Sequence, residues 1–179
     1  SKYISKNSQA KVIFNGDGSD EVTGGYLYFH KAPSPDEFDK ECRRLLKDIH
    51  TFDVLRSDKS ISSNGLEPRT PFLDKEFVDM YMSIPLEFRY HAGKNQCEKY
   101  LLRKAFQAEK LLPQEVLWRT KEAFSDGVSK ATRSWYEVIN QKVSNMDISY
   151  NTRQDIYTVN PPSTIEQFYF RSLFELYYE

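Results

Sequence analysis

Apolar and polar positions along the chain fall into blocks that read mostly as helices, with one short stretch of strand. Residues 11–14, KVIF, are a β-prone run that stops at the loop-forming Asn15-Gly16-Asp17-Gly18. KYI, residues 2–4, has the composition to extend another strand. Ser34-Pro35-Asp36-Glu37 combines a capping box with proline at the first helical position. Behind it Phe38, Cys42, Leu45, Ile49 and Phe52 recur at helical spacing, one apolar stripe turned to a core.

Further helices follow by the same logic. Asp74 caps a segment through Phe77, Met80 and Tyr81 that ends before Pro85. Another spans about Gln96–Ala108, and Pro113 opens a short one through Trp118. Ser125-Asp126-Gly127 precedes an amphipathic run bearing Trp135, Ile139 and Val143. Ser163-Thr164-Ile165-Glu166 is a second capping box, opening an aromatic helix with Phe168, Tyr169, Leu173 and Phe174. The polar stretch 144–162 ends in Pro-Pro and reads as loop.

A strand feeding a glycine-rich loop and then a helix is half of a doubly wound nucleotide-binding arrangement. Such sheets take several parallel strands, and this pattern supplies one or two. The expectation is an α/β protein of which residues 1–179 form the C-terminal, mostly helical half of a longer doubly wound domain, with most of the sheet upstream.

Composition narrows the class. The 179 residues are 39% hydrophobic, 28% charged and 15% aromatic, which excludes a disordered chain and implies a packed core. A net charge of −1 offers no global field for nucleic acid or an anionic membrane. Cys42 and Cys97 make no disulfide framework, and His30, His50 and His91 are too scattered for a zinc motif. A reducing, cytoplasmic setting fits. No apolar run approaches the roughly 20 residues that span a bilayer.

The chemistry concentrates in KVIFNGDGSDEVTGGY, residues 11–26. Gly16 and Gly18 allow positive φ and close approach of backbone to a ligand. Ser19, Asp20 and Glu21 fall at the start of the next helix, where free N–H groups attract anions. Carboxylates there would repel a bare phosphate but suit one that carries Mg²⁺. An EF-hand would need glycine and glutamate where Asp20 and Tyr26 stand, so that reading fails. A plain strand-to-helix turn, with the acids as caps, remains the alternative.

Asp53 and Arg56 lie where the apolar stripe continues, Arg56 at the next step of four. Charges there must pair with each other in a buried ion pair or face a cleft. Lys121, taken alone, is an ordinary solvated lysine.

The run NGDGSDEVTGGYLYFHKAPSP resembles the glutamine-hydrolysing asparagine synthetase family, which carries S-G-E-G-S-D-E followed by G-G-Y-x-Y-F-H-K-A-P. The likeness continues in order through FDVLRSDKS, GLEPRTPFLDKEF, EKYLLRKAF and LPQEVLWRTKEAFSDG. Beyond about Val143 it thins to a general likeness with the eukaryotic enzymes.

The resemblance implies an adenine-nucleotide α-hydrolase-like (ATP pyrophosphatase) domain. Such enzymes activate aspartate as β-aspartyl-AMP, release pyrophosphate and let ammonia attack the mixed anhydride. The implied substrates and cofactors are ATP, Mg²⁺, aspartate and ammonia released from glutamine. The implied partner is an N-terminal glutaminase domain, with a homodimer of the full-length protein also allowed. On matching positions, Asn15, Gly16, Gly18, Ser19 and Tyr26 lie by the nucleotide. Asp17 falls on a glutamate tied to acyl-adenylate formation, and Asp20 on the acid that binds Mg²⁺ and pyrophosphate. Asp53 and Arg56 match residues lining the synthetase site, and Lys121 a lysine near the ATP phosphates. Glu67 and Arg69 read as a structural pair.

The chain departs from the family at Asn15, where serine is usual, and at Asp17, where glutamate is usual. The glutaminase cysteine and the Ser-Gly-Gly-x-Asp-Ser pyrophosphate loop do not occur in it, so the isolated segment is expected to be inactive. A degenerate, non-catalytic module and a β-lactam-forming relative are the alternatives. The latter replace the motif glutamate by tyrosine, whereas Asp17 stays acidic.

Overall fold

A computed structural model describes residues 1–122, 133–146 and 156–178. Two compact units emerge, Ser1–Lys121 and Glu122–Glu179. The Ser125-Asp126-Gly127 segment and residues 147–155 of the expected loop lie outside the described residues.

The first unit contains α1 (Lys2–Asn7), β1 (Val12–Phe14), α2 (Ser19–Thr23), α3 (Pro35–Asp48), α4 (Asp53–Ser62) and β2 (Glu67–Arg69). After these come α5 (Lys75–Ser83), α6 (Leu86–Arg89), α7 (Tyr100–Gln107) and α8 (Gln114–Leu117), with 3₁₀ turns at Leu27–Lys31, Ile49–Thr51 and Pro71–Leu73. The class is α/β, mostly helical, with a small sheet. β1 and β2 pair in parallel, Ile13 opposite Pro68.

The core grows from the α3 stripe. Phe38, Cys42 and Leu45 are buried with Phe29, and Tyr26, Ala32, Phe52, Met82, Leu86 and Tyr90 pack against them. Gly24 sits at φ +64, and a Cβ there would lie 2.3 Å from the Phe38 ring, so only glycine permits this close approach. Arg89, 4% exposed, donates to the Ile84 carbonyl at 3.0 Å and to Asp39 at 2.6 Å, which satisfies a charge carried into the core. Asp74 caps α5 as expected, accepting from the Glu76 and Phe77 amides at 3.0 and 3.2 Å.

Several expectations change. KYI is helical in α1, with Tyr3 exposed, and among the described residues the sheet consists of β1 and β2. Within the KVIF run Val12–Phe14 is a strand, yet Val12 and Phe14, which share one face, are 42% and 74% exposed, while Ile13 on the other face is half-buried. Glu67–Arg69, unforeseen as a strand, supplies the partner of β1. The helix expected from Gln96 begins at Tyr100, since Lys99 before it takes a left-handed φ of +58°. The apolar stripe is not one helix: α3 ends at Asp48, Ile49 lies in the 3₁₀ turn Ile49–Thr51, and Phe52 (φ −133°, ψ −89°) redirects the chain into α4.

Caps shift similarly. Ser34 accepts from the Glu37 amide, but the Glu37 carboxylate turns to Lys40 at 3.5 Å, so half the box forms.

In the second unit α9 (Trp135–Ser144) opens on a complete capping box of Ser134 and Glu137 that the sequence reading did not identify. α10 (Ile165–Tyr178) is capped one residue later than expected. Thr164 Oγ1 accepts from the Gln167 amide at 3.2 Å, and the Gln167 side chain returns to the Ser163 amide at 2.7 Å. Val143 and Phe168 are buried. Among the described residues no helix is long and apolar enough to cross a membrane.

Candidate active site around Asp20

The loop between β1 and α2 is held from three sides. The Asn15 amide extends the β ladder by donating to the Arg69 carbonyl at 3.0 Å. The Asn15 side chain accepts from the Asp17 amide at 3.1 Å and donates to Ser57 Oγ at 2.8 Å, tying the strand end to α4. Gly18 turns the chain at φ +88°, and a Cβ would fall 2.3 Å from the Leu73 side chain. Gly16 does not need a left-handed φ, contrary to expectation; it has open space where a Cβ would stand.

That turn places Asp20 between two lysines. Lys99 Nζ lies 3.1 Å from Asp20 Oδ1 and donates to Ser19 Oγ at 2.8 Å. Lys121 Nζ lies 3.2 Å from Asp20 Oδ2. Gly25 makes the room: a Cβ there would be 2.3 Å from Asp20 Oδ1 and 2.6 Å from Lys99 Cε. Burial pushes the Lys99 ammonium below its ordinary pKa despite the pull of Asp20. Lys121 is therefore an ion-paired member of this cluster rather than a lone solvated lysine. Lys99 and Gly25 were missed by sequence reasoning, although both sit in segments that carry the family resemblance.

A second cluster adjoins the first through α2. Glu21 is 1% exposed, and burial raises its carboxyl above the ordinary value of 4.5 against a hydrogen bond from Tyr26. Tyr26 Oη, which bonds Glu21, is also 3.1 Å from Asp53 Oδ2. Burial, then these two carboxylates, drive the phenol pKa upward, so Tyr26 acts as a neutral donor. Arg56 pairs with Asp53 Oδ1, but its side chain is 74% exposed, so the buried-pair alternative does not hold. Glu67 and Arg69 form an exposed pair at 2.5 Å. An open cleft lined by Phe14, Arg69, Thr70, Leu73 and Phe77 includes neither Asp20 nor its lysines.

In this loop two buried carboxylate oxygens, Asp17 Oδ2 and Asp20 Oδ1, lack a hydrogen bond, the latter keeping only its ion pair with Lys99. Unsatisfied hard oxygens suit a hard cation such as Mg²⁺. Among the described residues no group of three or more His, Cys, Asp or Glu converges on one point. A cation here would draw its remaining ligands from phosphate oxygens and water.

Comparison with known proteins decides the family. A family model for asparagine synthase matches residues 1–36 and 31–175. The chain belongs to the asparagine synthase family. The chain is 48% identical over 180 residues to the asparagine synthetase [glutamine-hydrolyzing] of Gallus gallus, covering 99% of the chain. The like-named proteins of Cricetulus griseus and Homo sapiens are 48% and 46% identical over the same span. The chain spans 32% of the length of each of these relatives.

Proposed function

We propose that this chain supplies one wall of a site that converts aspartate to asparagine with ATP, through a β-aspartyl-AMP intermediate. Ammonia would come from glutamine, hydrolysed in a glutaminase domain of the same protein. The observation that carries the reading is Asp20 set between Lys99 and Lys121 at the turn into α2. The carboxylate would take the cation and the two ammonium groups the phosphate oxygens, the pairing that a polyphosphate with its cation requires.

In this reading Lys99 and Lys121 hold phosphate oxygens and counter the charge that builds as pyrophosphate leaves. Asp20, with Asp17 beside it, would hold Mg²⁺, which neutralises the leaving group when bound. Asn15, Gly16, Gly18 and Ser19 form the backbone turn against the nucleotide. Tyr26 orients Asp53, and Arg56, exposed next to it, is open to the aspartate or its adenylate. The short parallel sheet is consistent with one edge of a doubly wound domain.

The reading is tested by assaying aspartate-dependent pyrophosphate release with the chain joined to its upstream sequence. A folded protein that releases none would sink it. A second reading, a non-catalytic synthetase-like module, draws on Asn15. Its side chain is engaged at both ends, by Asp17 and Ser57, rather than free for a nucleotide.

A further inference from the structure

Lys99 and Lys121 reach Asp20 from separate segments, so something must set their spacing. Lys99 stands at the start of α7 in a left-handed conformation that a residue with a Cβ keeps only when its surroundings impose it. Lys121 follows Leu117, the buried last residue of α8, by four positions.

Arg103 touches both segments. Its side chain is 16% exposed, and its Nε donates to the Glu98 carbonyl at 2.8 Å while Nη1 donates to the Leu117 carbonyl. Its own amide donates to the Lys99 carbonyl at 2.9 Å. The third guanidinium nitrogen, Nη2, lies 3.9 Å from Glu98 Oε2, and the other carboxylate oxygen is 3.5 Å from His30 Nε2. Glu98 is 4% exposed, and its Oε2 accepts no hydrogen bond. So loosely satisfied a carboxylate is poor evidence for a purely stabilising ion pair. The Tyr100 and Trp118 rings, 5.7 Å apart, pack across the same joint.

We infer that Arg103 is a positioning residue for the Asp20 site: its planar fork ties the Glu98 and Leu117 carbonyls together and thereby sets Lys99 and Lys121 about Asp20. A guanidinium presents donors in fixed directions and can hold two carbonyls at once; a lysine ammonium is a point donor and cannot reproduce that span. Glu98, braced by His30, acts on the Lys99 side alone. The consequence for ATP rests on the synthetase reading, whereas the placement of the lysines does not.

The test compares wild type, Arg103→Lys and Glu98→Gln in the protein as encoded, flanking sequence retained. Labelling with an amine-acylating reagent, followed by peptide mass spectrometry, gives a rate for each lysine. In Arg103→Lys, Lys99 and Lys121 both label several-fold faster while the exposed Lys2 and Lys75 do not change. In Glu98→Gln only Lys99 speeds up. Unchanged labelling of the site lysines in Arg103→Lys overturns the inference, and so does a rise spread over every lysine, which marks general loosening. In an active enzyme Arg103→Lys raises KM for ATP about tenfold, equivalent to roughly 1.4 kcal/mol, and leaves KM for aspartate unchanged. An unchanged KM for ATP overturns the inference too. If wild type releases no pyrophosphate, the synthetase reading fails and the labelling alone judges Arg103.

Discussion

Lys121 Nζ meets Asp20 Oδ2 at 3.2 Å across 101 positions of chain. The contact closes the charge arrangement on which the proposed adenylation depends. Asp20→Asn leaves two ammonium groups without their shared carboxylate and removes the best cation ligand. Aspartate-dependent pyrophosphate release should fall about 10²- to 10³-fold, the scale of losing one transition-state charge contact. A fall of less than threefold would remove Asp20 from the site.

Asp17 is one methylene shorter than the glutamate usual in the family, and its buried Oδ2 finds no hydrogen-bond partner. Asp17→Glu extends the carboxylate further from the backbone turn. Because about 1 Å of misplacement can be worth up to 10²-fold in rate, acyl-adenylate formation should rise by roughly tenfold. Isotope exchange between pyrophosphate and ATP reads this step, and an unchanged rate would show that aspartate already reaches.

Gly18→Ala should destabilise the chain. The substitution forces a Cβ into a left-handed φ and onto Leu73 at 2.3 Å. Together these cost roughly 2–4 kcal/mol, read as a lower urea midpoint at unchanged slope. Gly16→Ala, with open space around it, should move the midpoint far less.

His91 gives a pH dependence of stability. It is 2% exposed, and burial, reinforced by neighbouring His30, lowers its pKa from 6.5 to about 4. The folded state thus binds the proton more weakly than the unfolded chain. The contribution is fully present above pH 6.5 and is lost as pH falls towards 4. The loss approaches about 3 kcal/mol at the acid end. The urea midpoint of wild type should fall relative to that of His91→Phe as pH drops from 7 to 4, and an unchanged difference would remove His91 as the cause.

Local signals in the sequence were strong where one residue decides the geometry. Asp74, Pro35 and the α3 stripe mark helix starts and a core face without help from distant residues. The glycine–acid loop was legible as a turn into a helix because Gly18 and Ser19 carry that information themselves. Errors arose where a remote neighbour decides. Residues 2–4 have strand-like composition but meet no strand among the described residues, and Lys99, left-handed where Arg103 bonds the Glu98 carbonyl, delays the start of a predicted helix.

The sequence alone determined the family, the helical class, the strand that leads into the glycine–acid loop, and the residue types of the proposed cation–phosphate wall. These rest on short-range periodicity and on motifs whose members are close in sequence. Tertiary structure alone decided that Lys99 joins Lys121 on Asp20, that Gly25 clears their space, and that Tyr26 bridges Glu21 to Asp53. Each depends on side chains from distant segments meeting within hydrogen-bond range. The pattern along a chain carries no measure of that distance.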